Sequence, residues 1–189
     1  MKANIEIEIP LGKKAEWVNG ILTLVDEQVK DNRPVTERIK TFEDACNELG
    51  EDHPFVRSYN GYASNIHEDN KNDTDILAYL KLRIITAALN EGWEPQFTTD
   101  EWRYFPYFYL YTQEEIDAMD EEDKHRVVYR SFSSASAYGG VSVANANNDS
   151  SYAFAYIGSR LAFKTRELAK YAGEQFIEIW ADYVFKAIK

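Results

Sequence analysis

The sequence predicts an α+β protein, a single domain over residues 1–189 in which antiparallel sheet is covered by three main helices. The sheet is expected in one piece or as separate small sheets. Alternating or aromatic-rich stretches typical of strands occupy 4–25, 102–111 and 152–163, and apolar stripes at helical spacing occupy 36–49, 74–91 and 165–188. Of the 189 residues, 44% are hydrophobic, so the chain can bury one substantial core.

Residues 1–30 are predicted to form a small antiparallel hairpin unit at the start of that domain. Isoleucines alternate with acids over residues 5–9, which is the pattern of a strand, and Pro10 ends it. Asn19-Gly20 lies between two apolar stretches. Because a type I′ turn needs positive φ at both central residues, this dipeptide is a strong hairpin signal. Residues 31–189 hold the remaining elements.

The first main helix is predicted over 36–49, with Thr36 or Thr41 as its N-cap and Gly50 as its stop. Its apolar stripe contains Cys46, which is the single cysteine of the chain and follows two acids. Nearby carboxylates oppose a thiolate, so this position favours a packed thiol over a nucleophile.

The other two main helices are predicted over 74–91 and 165–188. The helix over 74–91 carries apolar residues on more than one side, which indicates burial on several sides, and Gly92 ends it. Thr165 is the expected N-cap of a long, uninterrupted C-terminal helix.

The aromatic run over 102–111 predicts either a central strand or the lining of a site, with the core favoured over a ligand platform. Thr112 is expected to cap a short acidic helix that follows it. Residues 126–130 return to a strand pattern.

Residues 131–151 turn to Ser, Ala, Gly and Asn, which predicts a long loop or a pair of flat strands. We expect a recognition surface from Phe132 to Tyr152, with the aromatic strand beneath it, because tyrosine among small polar residues is typical of adaptable binding loops. A buried pair of strands is the rival interpretation. The candidate binding residues are Tyr138, Trp102, Tyr104, Tyr107, Tyr109 and Arg160.

The formal net charge of −11 opposes binding to duplex DNA and to anionic membrane surfaces, and a basic or neutral partner is expected. That partner is predicted to be a protein, and self-association with a second copy of the chain is one possibility. One cysteine allows no intramolecular disulfide, and no apolar run reaches the roughly 20 residues of a membrane span. These features predict a protein of the reducing cytoplasm.

No catalytic, metal or cofactor site is assigned from the sequence. His67-Glu68-Asp69 lacks the second histidine of a helical zinc site, Gly139-Gly140 lacks the lysine of a phosphate loop, and no serine lies in a Gly-x-Ser-x-Gly elbow. A non-catalytic binding or assembly protein is therefore favoured. The alternative is a hydrolase or transferase that gathers Asp, Glu and His from several elements.

Basic residues cluster around the start of the C-terminal helix, at Arg160, Lys164, Arg166 and Lys170. Cations near aromatic rings are used to bind single-stranded nucleic acid, which gives a second alternative function. A solvated face, with Arg160 paired to a carboxylate, is the favoured interpretation.

Several motifs carry a resemblance to a known group of proteins: Asn90-Glu-Gly-Trp-Glu-Pro95, Tyr104-Phe-Pro-Tyr-Phe108, the stretch Gly158–Gly173, Gly12-Lys-Lys-Ala-Glu-Trp17 and Lys40-Thr-Phe-Glu-Asp-Ala-Cys46. On these motifs the chain resembles uncharacterised proteins encoded in phages and prophages of Bacteroidales bacteria. The resemblance implies a phage-related role, with incorporation in a phage particle as a second location, and it transfers no site residue. Relatives often carry Cys at the position of Ala162, so this position is not expected to be catalytic here.

Overall fold

The computed structural model describes residues 7–26, 31–66, 74–96, 98, 100–125, 127–131, 138–149 and 159–184. The predicted α+β class is confirmed: helices and antiparallel strands both recur along the chain. The chain divides into two compact units, Met1–Arg33 and Pro34–Lys189. The strands are β1 (Lys13–Val18), β2 (Ile21–Asp26), β3 (Arg103–Thr112), β4 (Val128–Ser131) and β5 (Tyr138–Asp149). The helices are α1 (Val35–Arg38), α2 (Phe42–Leu49), α3 (Pro54–Ala63), α4 (Thr74–Asn90), α5 (Gln113–Asp117), α6 (Glu121–Lys124), α7 (Arg166–Gln175) and α8 (Ile177–Val184).

The first unit contains the predicted hairpin. Strands β1 and β2 pair antiparallel, and Val18 lies opposite Ile21. The turn residues Asn19 and Gly20 have φ of 51° and 81°, as a type I′ turn requires. The strand expected over residues 5–9 is not seen in its described part, since residues 7–10 belong to no strand. An extended segment forms a strand only where it finds a partner, and no described strand pairs with these residues.

The helix predicted over 36–49 is divided into α1 and α2, because Thr41 lies between them in an extended conformation. Its hydroxyl accepts a hydrogen bond from the Asp44 N–H at 3.0 Å, and the Asp44 carboxylate accepts from the Thr41 N–H at 2.9 Å. This capping box starts α2 and excludes a continuous helix. Gly50 ends α2 with φ of 84°, as predicted.

Helix α4 lies at the centre of the second unit. It packs against α2, α3 and α8, and its buried residues face more than one of these neighbours, as predicted. Together with α7 and α8 it forms the hydrophobic core. The buried members of this core are Val35, Ile39, Ala45, Val56, Leu82, Ile84, Ile85, Ala88, Leu89, Leu161, Phe163, Leu168, Ala169, Ala172, Phe176 and Trp180.

A three-stranded antiparallel sheet has the order β3-β5-β4. The aromatic strand β3 therefore lies at the edge of the described sheet, and β5, from the small-residue segment, is central. A β-bulge separates the pairs Tyr107↔Asn145 and Phe108↔Val143. The described part of the expected recognition loop is thus a strand beside β3, and residues 132–137 and 150–152 lie outside the described residues.

The C-terminal region differs from its prediction in two places. Of the strand expected over 152–163, residues 152–158 lie outside the described part, Ser159–Leu161 form a turn of 3₁₀-helix, and Phe163 makes an isolated bridge to Tyr104. The expected single helix is divided at Phe176 (φ −114°, ψ 28°) into α7 and α8. The Trp180 indole N–H donates to the Ala172 carbonyl at 3.2 Å across this junction, so packing of the large ring stabilises the division.

Candidate recognition face of the sheet

One face of β3 packs against the helices. Tyr104 and Phe108, four positions apart and therefore on the same face of the strand, pack against the hydrophobic core. The Phe108 and Trp180 ring centroids are 5.5 Å apart, and Tyr104 exchanges two backbone hydrogen bonds with Phe163 at 3.0 and 2.7 Å. These contacts fix the orientation of the strand.

The opposite face of β3 carries Tyr107, Tyr109 and Tyr111, which we name the tyrosine row. Successive ring centroids lie 5.6 and 6.1 Å apart, with an edge-on contact between the first two rings. Tyr107 is 46% exposed and Tyr109 is 51% exposed, and Tyr111 is half-buried. Three aromatic rings thus lie in contact on one side of a strand, and two of them are about half exposed to water.

The face that carries the tyrosine row is covered near the start of β3, which we call its closed end, and exposed towards the end of β3, which we call its open end. Near the start of β3, Arg103 and Phe105 alternate onto the same face as the row and are buried, so the face is covered there. Trp102 precedes the strand and is 55% exposed. In register with the tyrosines, the backbone of β5 contributes Gly140 opposite Tyr111 and Ser142 opposite Tyr109.

The other candidate binding residues are dispersed. Tyr104 lies on the helix side of the sheet, where the Arg166 guanidinium carbon is 5.8 Å from its ring centroid. Tyr138 begins β5 and pairs with Ser131 of β4, beyond the Gly139↔Thr112 end of the β3 ladder. Arg160 is exposed in the 3₁₀ turn, and among the described residues no carboxylate pairs with it. The structure therefore brings Tyr107 and Tyr109 together and separates them from Tyr104.

The basic cluster is partly neutralised. The Lys164 ammonium lies 3.0 Å from the Glu91 carboxylate, and the Lys170 ammonium lies 3.7 Å from that of Glu174. Arg166 stacks towards Tyr104 on the face opposite the tyrosine row. Among the described residues, Arg166 of this cluster and the exposed rings of the row therefore lie on opposite faces of β3, whereas single-stranded nucleic acid binding combines cations and rings on one surface.

An acidic segment follows the row directly. Thr112 caps α5 as predicted: its backbone N–H donates to the Glu115 carboxylate at 2.7 Å, and its hydroxyl accepts from the Glu115 N–H at 3.3 Å. The first of these bonds lowers the pKa of Glu115, so its charge persists to lower pH. Helix α6 begins in the same way, since Asp120 accepts from the Asp123 N–H at 2.8 Å.

Groups suited to catalysis are not gathered in the described part of the chain. Those residues contain no group of three or more His, Cys, Asp or Glu that could hold a metal ion, and no helix among them is long and apolar enough to cross a membrane. His53 uses Nδ1 to accept from the Phe55 N–H at the start of α3. Burial raises the pKa of the half-buried Cys46 thiol, and the neighbouring Glu43 raises it further, which agrees with a packed thiol.

Two surface features were missed by the sequence reasoning. Tyr111 was not a candidate, although it continues the two-residue spacing of Tyr107 and Tyr109, which was the available signal. In the hairpin, Trp17 is 74% exposed and Ile21 is 68% exposed, and neither residue is among the candidates predicted from the sequence. Its signal was the presence of apolar residues at adjacent positions in both strands, which one covered face cannot accommodate.

No protein-family model, curated protein or solved structure matches the chain.

Proposed function

We propose that the protein is a non-catalytic binding or assembly protein that contacts a protein partner through the tyrosine row. The exposure of Tyr107 and Tyr109 beside Tyr111, on the side of β3 opposite the core-facing Tyr104 and Phe108, is the observation that carries this proposal. Tyrosine supplies a large contact area and a hydroxyl at little cost in side-chain entropy, and it is enriched in protein interfaces.

The position of the row on a strand supports the proposal. Sites built on strands and helices hold their side chains more rigidly than sites on loops. Here Phe108 and Tyr104 anchor the same strand from behind, against Trp180 and Phe163. A partner therefore meets rings whose backbone is already ordered, which lowers the entropic cost of association.

The resemblance to proteins of Bacteroidales phages and prophages supports a phage-related setting, in the host cytoplasm or in an assembled particle. The enzyme alternative has less support, because the described residues contain no group of three or more His, Cys, Asp or Glu that could hold a metal ion. The nucleic-acid alternative is weakened by the ion pairs of Lys164 and Lys170.

The proposal is tested by affinity capture from a Bacteroidales lysate, with bound proteins quantified by mass spectrometry. We expect the Tyr107→Ala/Tyr109→Ala variant to lose about tenfold or more of a specifically bound protein, since truncated interface tyrosines are frequent hot spots. Sedimentation of the purified wild type and of the double variant tests whether the row also mediates self-association.

The matched control is Trp17→Ala, which removes an exposed aromatic ring from the first unit and is expected to retain the partner. Circular dichroism must show that the double variant is folded, as expected for substitutions of exposed side chains. Equal capture by the wild type and by the double variant would exclude the row as the contact surface.

A further inference from the structure

Acidic residues flank the tyrosine row at both ends. Asp100 and Glu101 precede Trp102 in the sequence, and helix α5 begins directly after the strand and is followed by α6. Glu114 follows Tyr111 by three residues, so their Cα atoms lie at most about 11 Å apart, close to the Debye length at 0.1 M salt. The exposed acids of this segment are Glu114, Glu115, Asp117, Asp120, Glu121, Glu122 and Asp123.

Basic residues do not balance this charge. Positions 100–131 contain nine acids and four cations, which gives a local net charge of −5. One of the four cations, Arg103, is buried at the closed end of the row. The Glu115 carboxylate is held by the backbone of Thr112 and keeps its charge, so the field at the open end is negative.

The tyrosine rings, like the acidic residues, attract cations. The face of a tyrosine ring is electron-rich and attracts a guanidinium or ammonium group. The spacing of the rings also suits an extended segment, because successive ring centroids along β3 are 5.6 and 6.1 Å apart. Alternate side chains of an extended segment are separated by about 7 Å, so a strand laid along the row would present every second side chain to a ring.

From these observations the geometry points to an extended protein segment rich in arginine or lysine as the partner of the tyrosine row. This inference rests on the proposed function and names the chemistry of its partner. A single-stranded nucleic acid would stack on the same rings, but the acids that attract a basic segment repel its phosphates.

The test uses the full chain and a fluorescent peptide of eight residues in which Arg and Ser alternate. The control peptide replaces each Arg with citrulline, which keeps the shape of the side chain and removes its charge. We expect fluorescence anisotropy to show binding of the Arg peptide about tenfold tighter than that of the citrulline peptide, with weaker binding at higher salt.

Two variants separate the rings from the charges. Tyr107→Leu/Tyr109→Leu keeps an apolar surface and the strand, and we expect it to weaken Arg-peptide binding about fivefold or more. Glu114→Gln/Glu121→Gln removes one exposed charge from each of the two helices that follow the row, α5 and α6, and neither residue caps its helix. It should weaken binding more than Glu51→Gln/Glu174→Gln, which makes the same change in net charge at exposed positions of other elements.

Three results would overturn the inference: equal affinity for the two peptides, equal effects of the two Glu→Gln pairs, or tighter binding of a twelve-nucleotide oligothymidine than of the Arg peptide. The proposed function is judged separately, by lysate capture. A partner that is lost from Tyr107→Ala/Tyr109→Ala but does not compete with the Arg peptide would retain the proposed function and reject this inference.

Discussion

At the scale of single residues, Asn90 joins distant parts of the second unit. It ends α4 and is buried. Its Nδ2 donates to the Ala162 carbonyl at 2.8 Å, and its Oδ1 accepts from the Lys164 N–H at 3.0 Å. One side chain thus provides hydrogen-bond partners for two backbone groups, the Ala162 carbonyl and the Lys164 N–H, which lie between the 3₁₀ turn and α7.

We predict that Asn90→Ala lowers the free energy of unfolding by about 2 to 4 kcal/mol, because it leaves a buried carbonyl and an N–H without partners. Urea denaturation followed by circular dichroism measures the change. Asn65→Ala, which removes one exposed bond to the Gly61 carbonyl, is the control and should change stability by less than about 0.5 kcal/mol. A loss no larger than that of the control would show that water replaces both bonds of Asn90.

Residue-scale features were predictable where their partners are close in sequence. Thr112 and Thr165 are expected as caps, and Thr41 is one of two alternatives with Thr36; each of the three accepts from a backbone N–H three residues later. The bonds of Asn90 span 72 and 74 positions, and no local pattern identifies such partners.

At the scale of elements, α7 holds the short helix α1 in place. The Tyr171 hydroxyl lies 2.8 Å from the Thr36 carbonyl and 2.6 Å from that of Ile39, at the end of α1. Gln175, one turn later, donates to the Lys40 carbonyl at 2.8 Å. Burial raises the pKa of Tyr171, and the nearby Asp44 carboxylate raises it further, so the folded state favours the protonated phenol.

This elevated pKa predicts a loss of stability in alkali. The folded state binds the phenol proton more tightly than the unfolded chain does, so its contribution is full below pH 10.0, the ordinary pKa, and is lost as pH rises through the folded pKa. Tyr171→Phe should therefore make the fall in stability above pH 10 shallower.

The same variant should cost about 1 kcal/mol at neutral pH, through the lost hydrogen bond. Urea denaturation at a series of pH values measures both effects. Tyr109→Phe, which removes a hydroxyl from a half-exposed ring, should leave the stability at neutral pH unchanged. An unaltered slope above pH 10 in Tyr171→Phe would mean that Tyr171 does not couple folding to alkali.

Element types were predictable from periodicity, whereas their breaks and neighbours were not. The apolar stripe over 165–188 has helical spacing on both sides of Phe176, so nothing in its period shows where packing of Trp180 divides α7 from α8. In the same way, the aromatic content of β3 indicates a covered strand, but on its open face the tyrosine rings contact one another and two of them stay exposed.

At the scale of the whole molecule, the second unit contains its own core. Every buried member of the described core lies between Val35 and Trp180, whereas the first unit is a two-stranded hairpin. In the strand order β3-β5-β4, β3 pairs with β5 and not with β4, which is the next strand along the chain. Local patterns do not identify such a pairing, so the class of the sheet could be predicted but its strand order could not.

We predict that a chain beginning at Pro34 folds alone, with a thermal midpoint within about 3 °C of that of the full chain, since none of the described core residues is removed. Differential scanning calorimetry measures the midpoint. The fragment 1–33 should show no cooperative transition, because an isolated two-stranded hairpin is marginally stable in water. A midpoint lowered by more than about 10 °C would show that the first unit stabilises the second.

The exposed Trp17 and Ile21 of the hairpin make the behaviour of concentrated solutions depend on charge. Apolar side chains in water attract those of another molecule, whereas a net charge of −11 makes the copies repel one another. Acidification towards the isoelectric point of about 4.8 removes that repulsion while the apolar side chains stay unchanged. We therefore expect copies of the chain to repel one another at neutral pH and to precipitate most strongly near pH 4.8, as turbidity measured against pH would show.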